Sequence, residues 1–219
     1  FADYYSVTGW EDTIWLTKQL RTDEQKAVFG ELTYDITEKL SATAGFRYFQ
    51  NDNSLEGFFG FSNNWSSQLY IKDDDGNIIG IRPPESRYGE AGCAVKYGTT
   101  DPSQWPTWRG APCQQFDKSV SENGTLGKFN LTYNLSDTEL FYGTYSEGYR
   151  PCGINRRATL PPYLADYLDN IEFGWKTTWM ENRLVFNGAV FQQTWDDFQF
   201  AILGANGLTE IKNANQAEV

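Results

Sequence analysis

The run Lys128-Phe129-Asn130-Leu131-Thr132-Tyr133-Asn134-Leu135, then Ser136-Asp137-Thr138, then Glu139-Leu140-Phe141-Tyr142-Gly143-Thr144-Tyr145, decides the fold class. Phe129, Leu131, Tyr133 and Leu135 share one parity, while Lys128, Asn130, Thr132 and Asn134 share the other. Successive side chains of a strand point to opposite faces, so a period of two gives one apolar and one wet face. A short polar interruption between two such runs reads as a β-hairpin. The second run alternates poorly, and its faces are not assigned from sequence.

Working outward, the same layout recurs on both sides. Val28–Ile36 and Leu40–Tyr48 flank Thr37-Glu38-Lys39; Ile171–Trp179 and Arg183–Phe191 flank Met180-Glu181-Asn182. Ala42, Ala44, Phe46 and Tyr48 oppose Ser41, Thr43, Gly45 and Arg47, and Ile171, Phe173, Trp175, Thr177 and Trp179 oppose Glu172, Gly174, Lys176 and Thr178. Such alternation fits a half-solvated sheet or a membrane barrel. Two features favour the barrel. Tyr34, Tyr133 and Trp179 each stand just before their turn on the apolar face, as an interfacial aromatic girdle requires. The turns are short, whereas the opposite ends are joined by long connections, from about 51 to 119 and from about 151 to 166. All eight prolines (83, 84, 102, 106, 112, 151, 161 and 162) fall in or at the edge of those connections, where no ladder hydrogen bond is lost.

Composition removes several function classes. The 219 residues include no His, so neither a Ser-His-Asp nor a Cys-His catalytic pair nor an imidazole metal ligand exists here. A formal net charge of −11 opposes nucleic-acid binding, which needs a basic footprint. No stretch approaches the length of apolar sequence that a spanning helix needs. The 8 Trp, 13 Tyr and 15 Phe argue for a chain that buries or inserts much of its surface, and for strands. In hydrocarbon an unpaired backbone group costs several kcal/mol, so strands cross only as a closed barrel. The chain supplies roughly seven or eight strands, and eight is the smallest usual closed size. It opens at Phe1 without Met and stops in mid-pattern at Val219, so it reads as part of a longer protein.

Phe29 to Tyr48, Tyr145 to Gly153, Asn170 to Thr177, Phe191 to Gln199 and Asn213 to Glu218 resemble, in this order, the barrel of TonB-dependent outer-membrane receptors. The resemblance implies an all-β, antiparallel, up-and-down transmembrane barrel of 22 strands with a plug in the lumen, of which this chain supplies about a third. It implies short periplasmic turns, long extracellular loops, and a plug and TonB-contacting segment lying outside this chain. It further implies energised import of a scarce nutrient complex: a ferric siderophore foremost, or haem, cobalamin or an oligosaccharide. The implied partners are the inner-membrane TonB complex, the nutrient complex and the lipid bilayer; no cofactor and no covalent chemistry are expected. Cys152 stands where the family's stretch usually has Gly.

The candidate ligand contacts are Trp65, Tyr70, Tyr88, Trp105, Trp108 and Arg109 in the long loop, with Tyr149 and Arg150 at the end of a barrel strand. Aromatics beside an Arg make anchors for sugars, planar chelates or protein partners, and equally make a loop's own small core. Arg47, Glu172 and Lys176, with Glu147, are expected in the lumen or at its mouth, because a midplane cation facing lipid costs about 2–4 kcal/mol. Cys93 and Cys113 are the preferred disulfide, worth on the order of 3 kcal/mol, with Cys152 as an alternative partner. Asp73-Asp74-Asp75-Gly76-Asn77 reads as a hairpin turn, since the bidentate Glu of a calcium loop is missing. The sequons at Asn64, Asn123, Asn130 and Asn134 carry no weight in a bacterial setting. Asp196 and Asp197 are adjacent on a strand, so they face apart and make a poor glycosidase pair. The rival readings are a soluble all-β carbohydrate-binding module and a passive porin.

Overall fold

The computed structural model describes residues 5–62, 70–81, 89–156, 160–204 and 209–219. The strands are β1 (Trp15–Asp35), β2 (Leu40–Phe61), β3 (Tyr70–Lys72), β4 (Ile78–Ile81), β5 (Phe116–Ser136) and β6 (Glu139–Arg150). They continue as β7 (Asp166–Trp179), β8 (Leu184–Asp196), β9 (Gln199–Leu203), β10 (Thr209–Asn213) and β11 (Gln216–Glu218), with the helix α1 (Glu90–Tyr97) and a 3-10 turn (Pro102–Gln104) between β4 and β5. One antiparallel sheet runs β1-β2-β5-β6-β7-β8-β11, and β3-β4 and β9-β10 form separate hairpins.

Ladder register assigns every face, including those of β6 and β8 that sequence leaves open. The row Tyr34–Ala42–Leu131–Gly143–Phe173–Val190 crosses six strands on the apolar side. Phe141 and Tyr145 on β6, and Leu184 and Phe186 on β8, belong to that side as well. Most of the side chains on this side stay uncovered, Leu32 at 73% and Val190 at 61% exposure. A contiguous apolar band of this extent on the outside of a sheet marks a membrane surface. The row also climbs: Tyr34 adjoins the end of β1 at Asp35, whereas Val190 lies six residues into β8 from Leu184. That is about one residue of stagger per strand, and a rise of about 3.4 Å over a strand spacing of about 4.8 Å gives a tilt of about 35°. The band on β7, Ile171 to Trp179, then spans about 22 Å along the barrel axis, close to the apolar height of outer-membrane barrels. Past it the same face turns polar, with Lys26 and Glu24, Gln50 and Asp52, Glu147 and Asp169.

The opposite face pairs its polar groups across strands. Lys128 bridges Glu31 at 3.0 Å, Tyr142 donates to Glu172 at 2.6 Å and Asn130 donates to Thr144 at 2.7 Å. Tyr142 lies flat across Gly174, where a Cβ would overlap its ring at 2.4 Å, so only glycine permits this packing. Phe29, Val185 and Phe191 interrupt this wet face with exposed apolar surface.

The strands outrun the sequence expectation. β1 begins at Trp15, β2 continues to Phe61 and β5 starts at Phe116, so the long connections cover 62–115 and 151–165 rather than about 51–119 and about 151–166. Residues such as Lys18-Gln19-Leu20-Arg21-Thr22-Asp23 carry no apolar period because neither face here meets lipid. Pairing holds them instead: Gln25 donates to Asn51 at 2.7 Å and Arg21 reaches Asn53 at 3.3 Å. The β7–β8 turn passes through Met180, Glu181 and Asn182, all at positive φ.

Candidate functional site

The long loop folds into a cap with its own core. Val7, Leu16, Phe58, Ala91, Ala94, Trp105 and Ala111 pack around Cys93 and Cys113, which are joined as a disulfide. The segment before β1 is stitched into it: the Thr8 N–H donates to Glu90 at 2.6 Å and the Trp10 indole donates to the Gly110 carbonyl at 2.7 Å. Of the loop residues singled out from sequence, Trp105 is a core residue whose indole donates to the Thr99 carbonyl at 2.9 Å. Trp108 packs against the same core, with the Arg109 guanidinium 5.4 Å from its ring centre. Tyr70 belongs to β3, and Trp65 and Tyr88 lie outside the described residues. Asp73 closes the β3–β4 turn by accepting the Asn77 N–H at 2.8 Å, and the bonds from Asn77 hold its carboxyl below the usual range.

Tyr149 and Arg150 are occupied by the protein itself. Tyr149 stacks on Phe49 with centroids 3.9 Å apart, and its hydroxyl receives bonds from Gln25 at 2.7 Å and Asn51 at 3.1 Å. Arg150 forks onto the fully buried Asp166, whose carboxylate also accepts the Gln199 N–H at 2.9 Å. Burial alone would push that carboxyl up, but the bonds from Arg150 and Gln199 outweigh it and hold it down. Arg150 also donates to the Gln199 carbonyl at 2.9 Å and lies 4.8 Å over Trp195. This latch joins the ends of β6 and β7 to β9. Arg47, Glu172 and Lys176 stand on the polar face by register. Glu147 stands on the other face just above the apolar band, accepting the Gly127 N–H at 2.6 Å where β5 and β6 part.

The loop 151–165 and the β9–β10 hairpin fold over the polar face of the strand extensions. Asn155 ties them together, donating to the Ile211 carbonyl at 3.0 Å and accepting its N–H at 2.9 Å. Lys118 reaches up from β5 to the Leu160 carbonyl at 2.6 Å, and burial pushes its ammonium down to about 8. Cys152 is a buried free thiol beside Glu122, and burial raises it to about 12, so it is unreactive at neutral pH.

Between loop and sheet lies a cavity of about 520 Å³, lined by Trp15, Arg21, Phe59, Ile154, Arg156 and Tyr163 among others. A second, of about 340 Å³, adjoins it through Arg21 and Tyr163 and is lined by polar groups including Asp23, Gln25 and Asn51. Arg21 is held by Asp23 at 2.8 Å. The Arg156 guanidinium lies 5.8 Å over the Phe59 ring and has no ion pair to any described residue. Sequence reasoning misses this site because its residues fall in strand extensions without an apolar period and in a loop judged only by length. The single cue in sequence is the basic pair Arg156-Arg157, standing shortly before Pro161-Pro162.

An apolar band of tilted antiparallel strands, short turns below it and a loop-covered polar cavity above it define a wall of an outer-membrane β-barrel. Residues 3–219 match the family described as TonB dependent receptor-like, beta-barrel, and the chain belongs to that family. Its members are non-enzymatic transporters of the bacterial outer membrane. Similar solved structures include the ferric yersiniabactin uptake receptor FyuA from Yersinia pestis, at 19% identity, TM-score 0.53, covering 83% of this chain and 21% of that one. The closed form of the ferric-catecholate import receptor Fiu from E. coli K12 gives 14% identity and TM-score 0.50 over 90% of this chain and 24% of that one. The copper transporter OprC gives 14% identity and TM-score 0.50 over 90% and 26%. The chain thus spans about a fifth to a quarter of these receptors.

Proposed function

We propose that this chain is the extracellular-facing wall and ligand mouth of a receptor that imports a scarce nutrient complex, a ferric siderophore foremost, with energy from the inner-membrane TonB complex. The observation that carries the reading is the Arg- and aromatic-lined cavity on the polar face, held above the apolar band by loop 151–165 and β9–β10. A metal complex captured there would sit on the lumen side of the wall, where passage inward is possible. Receptors for ferric complexes and a copper transporter share this fold. Phe29, Val185 and Phe191, apolar on an otherwise wet face, suit contact with a plug domain rather than with water. The 62–115 and 151–165 connections are then extracellular, and the short turns periplasmic.

The test is uptake of radiolabelled ferric complexes by cells carrying the whole receptor. Accumulation that disappears on deletion of TonB or on collapse of the proton gradient supports active import. Uptake unaffected by either treatment refutes it and favours passive diffusion.

A further inference from the structure

We infer that the cavity above β1 and β2 selects anionic complexes that present a flat aromatic face, with Arg156 as its specificity-determining cation; this rests on the import reading. Three observations meet there. In a chain of net charge −11, the described residues lining this cavity include two arginines and no carboxylate. Arg21 is already shared with Asp23 and Asn53, which leaves Arg156 as the lining cation without a hydrogen bond or ion pair to a described residue. The guanidinium stands over Phe59, and Phe59 in turn meets Trp15 edge-on at 4.8 Å. An aromatic ligand entering beside that ring adds stacking area, and its charge supplies the counterion that Arg156 lacks. The volume of about 520 Å³ suits a compact chelate rather than a metal ion alone.

Arg156 also has the freedom the role needs. It sits on a loop, and its one described contact is the face of Phe59, so replacing it removes no ladder bond. Arg rather than Lys is the fitting residue, because a planar fork both stacks and pairs with oxygen anions.

The experiment measures binding to the whole receptor in detergent by quenching of tryptophan fluorescence. The two probes are the trianionic ferric complex of catechol and the neutral ferric complex of acetohydroxamate. Wild type should prefer the anionic aromatic complex, and added salt should weaken that preference. Arg156→Gln should weaken the anionic complex by about tenfold and leave the neutral one unchanged, with Arg156→Lys intermediate. Equal binding of the two probes by wild type, or no effect of Arg156→Gln on the anionic probe, overturns the inference. Energised uptake that ignores Arg156 would sink this selectivity while leaving import standing. Charge-selective binding without energised uptake would do the reverse.

Discussion

Placing an arginine at successive positions of β5 tests the two faces directly. Leu131 lies four residues from Leu135 at the turn end, near the middle of the apolar band, while Asn130 is its immediate neighbour on the polar side. Leu131→Arg should cost about 2–4 kcal/mol, the midplane value for a lipid-facing cation. Tyr133→Arg, nearer the turn, should cost about 1 kcal/mol or less from the same depth dependence, apart from the lost ring. Asn130→Arg places its charge in water and loses only the bond to Thr144 at 2.7 Å and that from Thr132 at 2.8 Å, about 0.5 kcal/mol net for each because water can replace both partners. Denaturant unfolding of the whole receptor in lipid bilayers, followed by tryptophan fluorescence, reads the three costs. The expected order is Leu131 well above Asn130 and Tyr133. Equal costs at Leu131 and Asn130 would refute the membrane assignment, because a soluble sheet with solvent on both sides imposes no depth dependence.

Three further outcomes follow from the loops. The Asp166 carboxyl is held below its usual range in the folded chain, so the latch contributes fully above about pH 4 and is lost as pH falls through the lower folded value. Hydrogen exchange should therefore show β9–β10 loosening in acid before the barrel does; Asp166→Asn should loosen it at neutral pH by about 2 kcal/mol, given that Arg150 is half exposed, and an unchanged exchange rate would remove the latch. Replacing Cys93 and Cys113 together by Ser should destabilise the cap by about 3 kcal/mol, raising its protease sensitivity about a hundredfold without changing barrel unfolding; a barrel that unfolds earlier would show that cap and wall are one cooperative unit.

How much of this is legible in the sequence depends on where each residue meets lipid. Phe129, Leu131 and Tyr133 announce their face because hydrocarbon tolerates only apolar side chains there, so the constraint is written into every second position. The rule fades above Val28 and Tyr48. At Arg21, Gln25 and Asn53 neither face meets lipid, and the strands persist through pairing with neighbours that are distant in sequence. β6 is ambiguous for a different reason: Leu140 and Tyr142 sit on the polar face, Tyr142 because it spans Gly174 to reach Glu172. An alternation count sees only hydrophobicity and has no access to that partner.

The candidate aromatics show the same limit at the site. Trp105 and Tyr149 are reasonable anchors by residue type, yet one closes a core around a disulfide and the other is stacked on Phe49 with its hydroxyl already bonded. Arg150 is bound to Asp166, while Arg156, only six positions on, has no such partner among the described residues. What separates a structural arginine from a candidate ligand-binding one is therefore the carboxylate the fold brings to it, and Asp166 reaches Arg150 only because β6 and β7 pair in register at that position. The latch and the cavity are consequences of one ladder: shifting β7 by a single residue would move Asp166 off Arg150, release β9–β10, and remove the roof from the pocket that Arg156 lines.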